Sequence, residues 1–223
     1  MFTSLILCAL TALPCADSSL QLVETTPIET TLGSKDIPEA SDVWLEMIHG
    51  AKERINIAQF YISDRAPSKF TPILGAIQDA AYRGVKVAVL AERGFQKTYP
   101  NELKLLGSRK NIEVRLYDIK ARTNGILHAK YFTVDSRLTF LGSQNFDWRS
   151  LEHIQELGVR VESKVLTESF DEVFLYDWAL AGGDEMRTLP APSAPSETIG
   201  DLTVTPVFSP KELCPRESQW DLP

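Results

Sequence analysis

The stretch His128–Asn145, HAKYFTVDSRLTFLGSQN, decides the reading of this chain. Two apolar segments rich in β-branched and aromatic residues, YFTV and LTFLG, enclose a polar turn. A β-hairpin reads this way when both strands enter a buried sheet. Residues i and i+2 of a strand share a face, so His128 and Lys130 are expected to point the same way. The returning strand brings Gly142, Ser143 and Asn145 back toward them. An imidazole beside an ammonium, with a hydroxyl and a carboxamide close by, is a set of groups suited to a phosphate.

Outward from the hairpin, the chain alternates. Val43, Trp44, Met47, Ile48 and Ala51 recur at helical spacing over Asp42–Arg54, with Ser41 as the N-cap. INIAQFYI (55–62) alternates as a strand, and Asp64–Ser68 is a loop. Thr71–Arg83 is a helix stopped by Gly84, VKVAVLAE (85–92) a strand, Asn101–Leu106 a short helix and IEVRLYD (112–118) a strand. After the hairpin, ELGVRVE (156–162) reads as a strand and Ser163–Leu180 as a helix with Phe170, Phe174 and Trp178 on its apolar stripe. A further strand is expected around Leu20–Glu24. Strand–helix–strand repetition of this kind predicts the α/β class, a mixed β-sheet flanked by helices, with right-handed crossovers.

The 223 residues and 43% hydrophobic content suit one domain with a real core. A net charge of -7 argues against a broad basic face for wrapping duplex nucleic acid, but not against one small cationic site. Phe2–Ala16 is an apolar run too short for a bilayer, which takes about 20 residues. It reads as a signal peptide over residues 1–16, cut near Ala16, although its start carries no Lys or Arg. That places the protein in the secretory pathway, secreted or in the endolysosomal lumen. Cys214 is then the one cysteine of the mature chain, a free thiol or the partner of a cysteine elsewhere. The domain is expected over 17–182. Seven of the thirteen prolines fall between Pro190 and Pro223, so 183–223 reads as a Pro-rich linker with no packed core of its own.

The chemistry follows from the residue types. A neutral imidazole at His128 can attack a phosphodiester phosphorus, displacing an alcohol and leaving a phosphohistidine. Lys130 and Asn145 can hold the non-bridging oxygens, and Ser143 can do likewise. A second acid must protonate the leaving oxygen and then activate water. This chemistry needs no metal and no cofactor, and no cluster with metal-ligand spacing is visible in the sequence. His49 and His153 stand outside any such constellation and read as structural or solvated. The six positions His128, Lys130, Asp135, Gly142, Ser143 and Asn145 would match by accident with odds on the order of one in a million.

His-x-Lys-(x)4-Asp-(x)6-Gly-Ser-x-Asn resembles the HKD motif of the phospholipase D superfamily, and residues 128–145 match it without a gap. GILHAKYFTVD and LGSQNFDWRSLEHIQELGV look like the first motif of family members three and four. LVETTP and ELCP (212–215) are also similar to pieces of that branch. The resemblance covers nearly all of the mature chain. It implies a single phospholipase D-like repeat acting on single-stranded nucleic acid from the 5′ end, or on phospholipid. It implies that Asp135 anchors the hairpin and that Glu156 hydrogen-bonds the motif histidine, a strand-end surface carboxylate being the other reading. Asp147, Trp148 and Arg149 are expected to support the loop over the site.

One departure matters. Family enzymes combine two such motifs, and this chain has one. Three arrangements stay open: a homodimer joining two copies of His128, the N-terminal half of a longer protein, or a non-catalytic module that binds phosphate or a partner.

Overall fold

The computed structural model describes residues 18–120, 124–184 and 192–209. The expected signal peptide, Cys214 and ELCP lie outside them. The chain builds one seven-stranded mixed sheet in the order β1-β9-β7-β6-β2-β4-β5, with helices on both faces. The strands are β1 (Ser19–Thr25), β2 (Arg54–Gln59), β4 (Lys86–Glu92), β5 (Ile112–Tyr117), β6 (Lys130–Val134), β7 (Leu138–Gly142) and β9 (Glu156–Glu162). β2, β4 and β5 run parallel, whereas β6, β7, β9 and β1 pair antiparallel in turn from the other edge of β2. The predicted α/β class and mixed sheet are therefore what the chain adopts.

Burial on both faces explains why the parallel strands read as nearly unbroken apolar runs. On one face α1 (Ala40–Gly50) and α2 (Thr71–Tyr82) pack over Ile55, Ile57, Phe132 and Phe140. Trp44 of α1 is the centre of that layer, 4.6 Å from the ring of Phe146 and 5.1 Å from that of Phe140. On the other face lies α5 (Lys164–Ala181), the helix after β9, with Phe170, Phe174 and Leu180 against Ala58, Leu90 and Tyr131. Ser163 caps it, its hydroxyl accepting from Leu166 N at 3.0 Å. The buried Asp171 carboxylate then ties α5 to the sheet, accepting from Asn56 Nδ2 at 2.8 Å, Thr133 Oγ1 at 2.5 Å and Ser136 Oγ at 2.5 Å.

Three local expectations change. Ser41 lies inside α1 rather than at its cap. The chain leaves Pro38 extended at Glu39 (φ -69, ψ 138), and the helix starts at once. Its C-terminus falls at Gly50, because the N–H groups of Lys52, Glu53 and Arg54 are taken by the Asp135 carboxylate and cannot continue a helix. The strand expected over 55–62 breaks after Gln59. Ile62–Ser63 leaves the main sheet as β3 and pairs with β8 (Phe146–Asp147). Phe60 and Tyr61 fill the break.

The described part of the C-terminal segment does not stand apart from the domain. β10 (Glu197–Ile199) and β11 (Leu202–Val204) form a hairpin whose Ile199 packs with Val161 and Leu166, and Phe208 meets Phe170 edge-on at 5.0 Å. Glu197 adds a bond from Ser18 Oγ at 2.6 Å. No helix among the described residues is long and apolar enough to cross a membrane.

Candidate functional site

The carboxyl ends of β2 and β4 meet the start of β6 and the end of β7 on the face that carries α1 and α2. Chain crossings of this kind leave a crevice beyond the strand ends, where α/β folds bind ligands. His128 immediately precedes β6. Its approach is pinned by Glu92, the last residue of β4, which is buried and accepts from Leu127 N at 2.6 Å and Gly94 N at 3.0 Å.

Lys130 Nζ lies 3.1 Å from His128 Nε2 and also donates to His128 O at 3.2 Å. An ammonium has only protons to offer, so Nε2 is the acceptor and the ring carries its proton on Nδ1. Desolvation, and then the Lys130 charge, hold the imidazole below its ordinary pKa. Both effects favour the neutral imidazole, the state a nucleophile or general base requires. Desolvation also lowers Lys130, against the pull of Glu156. Phe60 closes one side: its ring meets His128 edge-on at 4.8 Å and lies 5.6 Å from Lys130 Nζ.

The remaining motif residues separate into two groups. Ser143 extends the β7–β9 ladder, its N–H donating to Leu157 O at 3.0 Å and its hydroxyl accepting from Leu157 N at 3.2 Å. Asn145 N donates to Ser150 Oγ at 3.2 Å, while its side-chain oxygen is buried without a partner. Asp135 is elsewhere. It closes the β6–β7 turn in a left-handed conformation (φ 53), five residues from Lys130 and so about 16 Å away at strand rise. There its carboxylate accepts from Lys52 N at 2.8 Å, Glu53 N at 2.8 Å and Arg54 N at 2.9 Å, the arrangement of a hairpin anchor.

Glu156 opens β9 half-buried, and its carboxylate makes no hydrogen bond to His128. Ser143 Oγ and Ser150 Oγ each donate to it at 3.4 Å, and Lys130 is its neighbouring cation. Burial pushes its pKa up, and the two serines and Lys130 oppose that. In the β7–β9 register Gly142 lies opposite Gly158, so Glu156, two residues further along, comes level with Gln144 and next to Ser143.

Asp147 is fully buried and caps α4 (Trp148–Glu152) by accepting from Arg149 N at 2.7 Å. It also accepts from Arg149 Nε at 2.9 Å and Nη2 at 2.6 Å, fixing that guanidinium at the rim. His153 pairs with Glu29 at 2.6 Å, and His49 ends α1; neither joins His128.

Several residues were missed by sequence reasoning. Glu92 carried a usable signal, as a lone carboxylate ending an apolar strand. Gln144 is fully buried with both amide atoms unpartnered. Gly142 and Gly158 leave it room: a Cβ on Gly142 would lie 2.3 Å from Gln144 Oε1 and 2.7 Å from Gly158 Cα. The rings of Phe60, Tyr61, Phe95 and Tyr99 gather at the mouth, the last two from the segment after β4. Nothing in their spacing announces a cluster. Among the described residues, no group of three or more His, Cys, Asp or Glu could hold a metal ion.

Comparison with known proteins bears on the family and the fold. The 5′-3′ exonuclease PLD3 of Bos taurus is 30% identical over 236 residues, covering 94% of this chain and 48% of that protein. The 5′-3′ exonuclease PLD4 of Mus musculus is 27% identical over 183 residues, covering 77% of this chain and 36% of that protein. The chain thus spans about half the length, or less, of these curated relatives. Among solved structures, NucT from Helicobacter pylori superposes with a TM-score of 0.59 at 21% identity, covering 73% of this chain and 96% of that one. Nuc from Salmonella typhimurium, a phospholipase D family member, gives 0.57 at 23% identity, covering 73% and 95%. Both share the fold. Residues 44–178 match the family model described as "Cardiolipin synthase, PLD-like domain", and the chain belongs to the phospholipase D-like family.

Proposed function

We propose that this chain carries one half of a metal-independent phosphodiesterase site, with His128 as nucleophile and single-stranded nucleic acid as substrate. The observation that carries the reading is the His128–Lys130 pair, a neutral imidazole whose basic nitrogen is covered by an ammonium at 3.1 Å. When a phosphodiester enters, the ammonium moves from Nε2 to a non-bridging oxygen. The Nε2 lone pair is then free to attack phosphorus. The P–N bond forms as the P–O bond to the leaving alcohol breaks, and the departing oxygen takes a proton from an acid on the second half. Water, deprotonated by that same group, then cleaves P–N, releasing a phosphate monoester and restoring His128. Ser143 and Asn145 supply further donors, and Glu156 steadies Lys130 and Ser143. Asp135 acts through the hairpin, not on substrate.

The second half comes from another copy of the chain or from sequence beyond Pro223. The relatives' names, two 5′-3′ exonucleases, favour nucleic acid over phospholipid. The apolar N-terminal run supports a route through the secretory pathway to the cell exterior or the endolysosomal lumen. The alternative is a module that binds phosphate without turnover.

The test incubates the purified chain with a 5′-hydroxyl oligonucleotide and, separately, a fluorescent phospholipid, with and without EDTA, beside His128→Ala. Oligonucleotide cleavage that resists EDTA and is lost in the variant is the expected result. Equal cleavage by variant and wild type would remove His128 from the chemistry. Cleavage of lipid alone would reassign the substrate, and oligonucleotide binding without turnover would mean either a half-site without its partner or the module. Solution mass decides whether two copies assemble the site.

A further inference from the structure

We infer that Phe60, Phe95, Tyr61 and Tyr99 form a nucleobase-stacking platform that continues directly from the phosphate seat. The inference rests on the nucleic-acid reading above and deepens it, because it assigns residues to the base rather than to the phosphate.

The rings form a connected series. Phe60 touches His128 at 4.8 Å and Phe95 at 4.2 Å. Phe95 lies nearly parallel to Tyr99 (6°) with centroids 6.4 Å apart, and Tyr61 stacks on Tyr99 at 4.6 Å and 20°. All four are half-buried rather than buried in the core. A core cluster would have hidden them, as Phe132, Phe140 and Phe146 are hidden at zero exposure one layer below.

Cations line the same surface. Arg149 lies 6.0 Å from the Tyr99 ring and 5.7 Å from that of Trp148, locked by Asp147, and Arg65 lies 5.4 Å from the Trp148 ring. Aromatic faces interleaved with fixed guanidinium groups are what a single strand uses: bases stack, and backbone phosphates meet the cations. Burial raises the Tyr61 phenol to about 12, so it stays uncharged and does not repel the strand. A phospholipid head group offers no comparable flat π-face. The platform therefore favours nucleic acid with little preference among bases, since every base can stack. It also explains how a chain of net charge -7 holds a polyanion: stacking adds binding that net charge does not govern.

The test compares affinity of the full chain for an oligo-dT of eight nucleotides and for an abasic strand with the same number of phosphates, by fluorescence anisotropy. One to two stacked bases predict a dT-to-abasic ratio of about 10 to 100. Tyr99→Ala and Phe95→Ala should each move that ratio toward one. Tyr99→Phe, which keeps the ring and loses the 3.4 Å contact with Arg149, should retain it. Phe95→Leu preserves apolar volume without the π-face, so it reads the same loss if the alanine variants fail to fold. A wild-type ratio near one, or a ratio unchanged in folded Phe95→Leu and Tyr99→Ala, would overturn the platform. The ratio is measured without turnover, so it stands or falls separately from His128, whose role is read by cleavage.

Discussion

Replacing Asp135 with alanine should unfold the protein more readily without altering the chemistry at His128. The carboxylate collects three backbone N–H groups, from Lys52, Glu53 and Arg54, at 2.8 to 2.9 Å. It thereby holds the exit of α1 and the entrance of β2 against the β6–β7 turn. Hydrogen bonds to a charged acceptor contribute about 1.5–3 kcal/mol each when buried. These are open to water, which replaces part of what is lost, so about 1 kcal/mol per bond, or about 3 kcal/mol in all, is the expected cost. With a urea slope of about 2 kcal/mol per molar, the midpoint should fall by about 1.5 M. Asp135→Asn keeps one acceptor oxygen and tolerates φ 53, and should lose about half as much. Anisotropy with the dT oligonucleotide, below the unfolding range, should match wild type. An unchanged urea midpoint with lost binding or cleavage would refute this reasoning and return Asp135 to the substrate.

Three further outcomes follow from the same structure. Desolvation and Lys130 depress the His128 pKa, so the imidazole NMR titration should lie below the ordinary 6.5 and move up in Lys130→Gln; a cleavage profile should lose activity as pH falls through that lowered value. Gly158→Ala would set a Cβ 2.6 Å from Phe140 Cζ and 3.0 Å from Leu141 O, and should cost about 2 kcal/mol, or roughly 6 °C in Tm. Burial raises Asp177 to about 7, so its contribution to stability is complete below the unfolded value near 3.8 and is lost as pH rises through 7. Asp177→Asn should therefore gain on wild type above pH 7, by at most about 4 kcal/mol, and denaturation midpoints at pH 5 and pH 8 that keep the same spacing in both proteins would contradict this.

Much of the fold was legible because its cues are local. β9 falls at 156–162 as its alternation predicts, and β4 and β5 begin and end within one residue of their apolar runs. The motif likewise placed His128 and Lys130 on one face. What the sequence could not show depends on partners far along the chain. The strand break after Gln59 exists because Ile62–Ser63 finds β8, more than eighty residues later. Glu156 meets Ser143 and Ser150 because of the register between β7 and β9, which no spacing encodes. The aromatic group is hidden for the same reason: Phe60 and Tyr61 looked like strand residues and Phe95 and Tyr99 like loop residues until the sheet brought them together.

The two bonds accepted by Glu92 have a mechanical consequence. One carboxylate grips Leu127, the residue before His128, and Gly94, in the segment bearing Phe95 and Tyr99. The two pieces are geared together through a single rigid hub at the end of β4. Under the proposed function, a strand docking on the aromatic segment would also press on the backbone that leads to His128. Substrate length should therefore register in the rate of the chemical step as well as in affinity, and loosening the hub, as in Glu92→Gln, should uncouple the two while leaving each part in place.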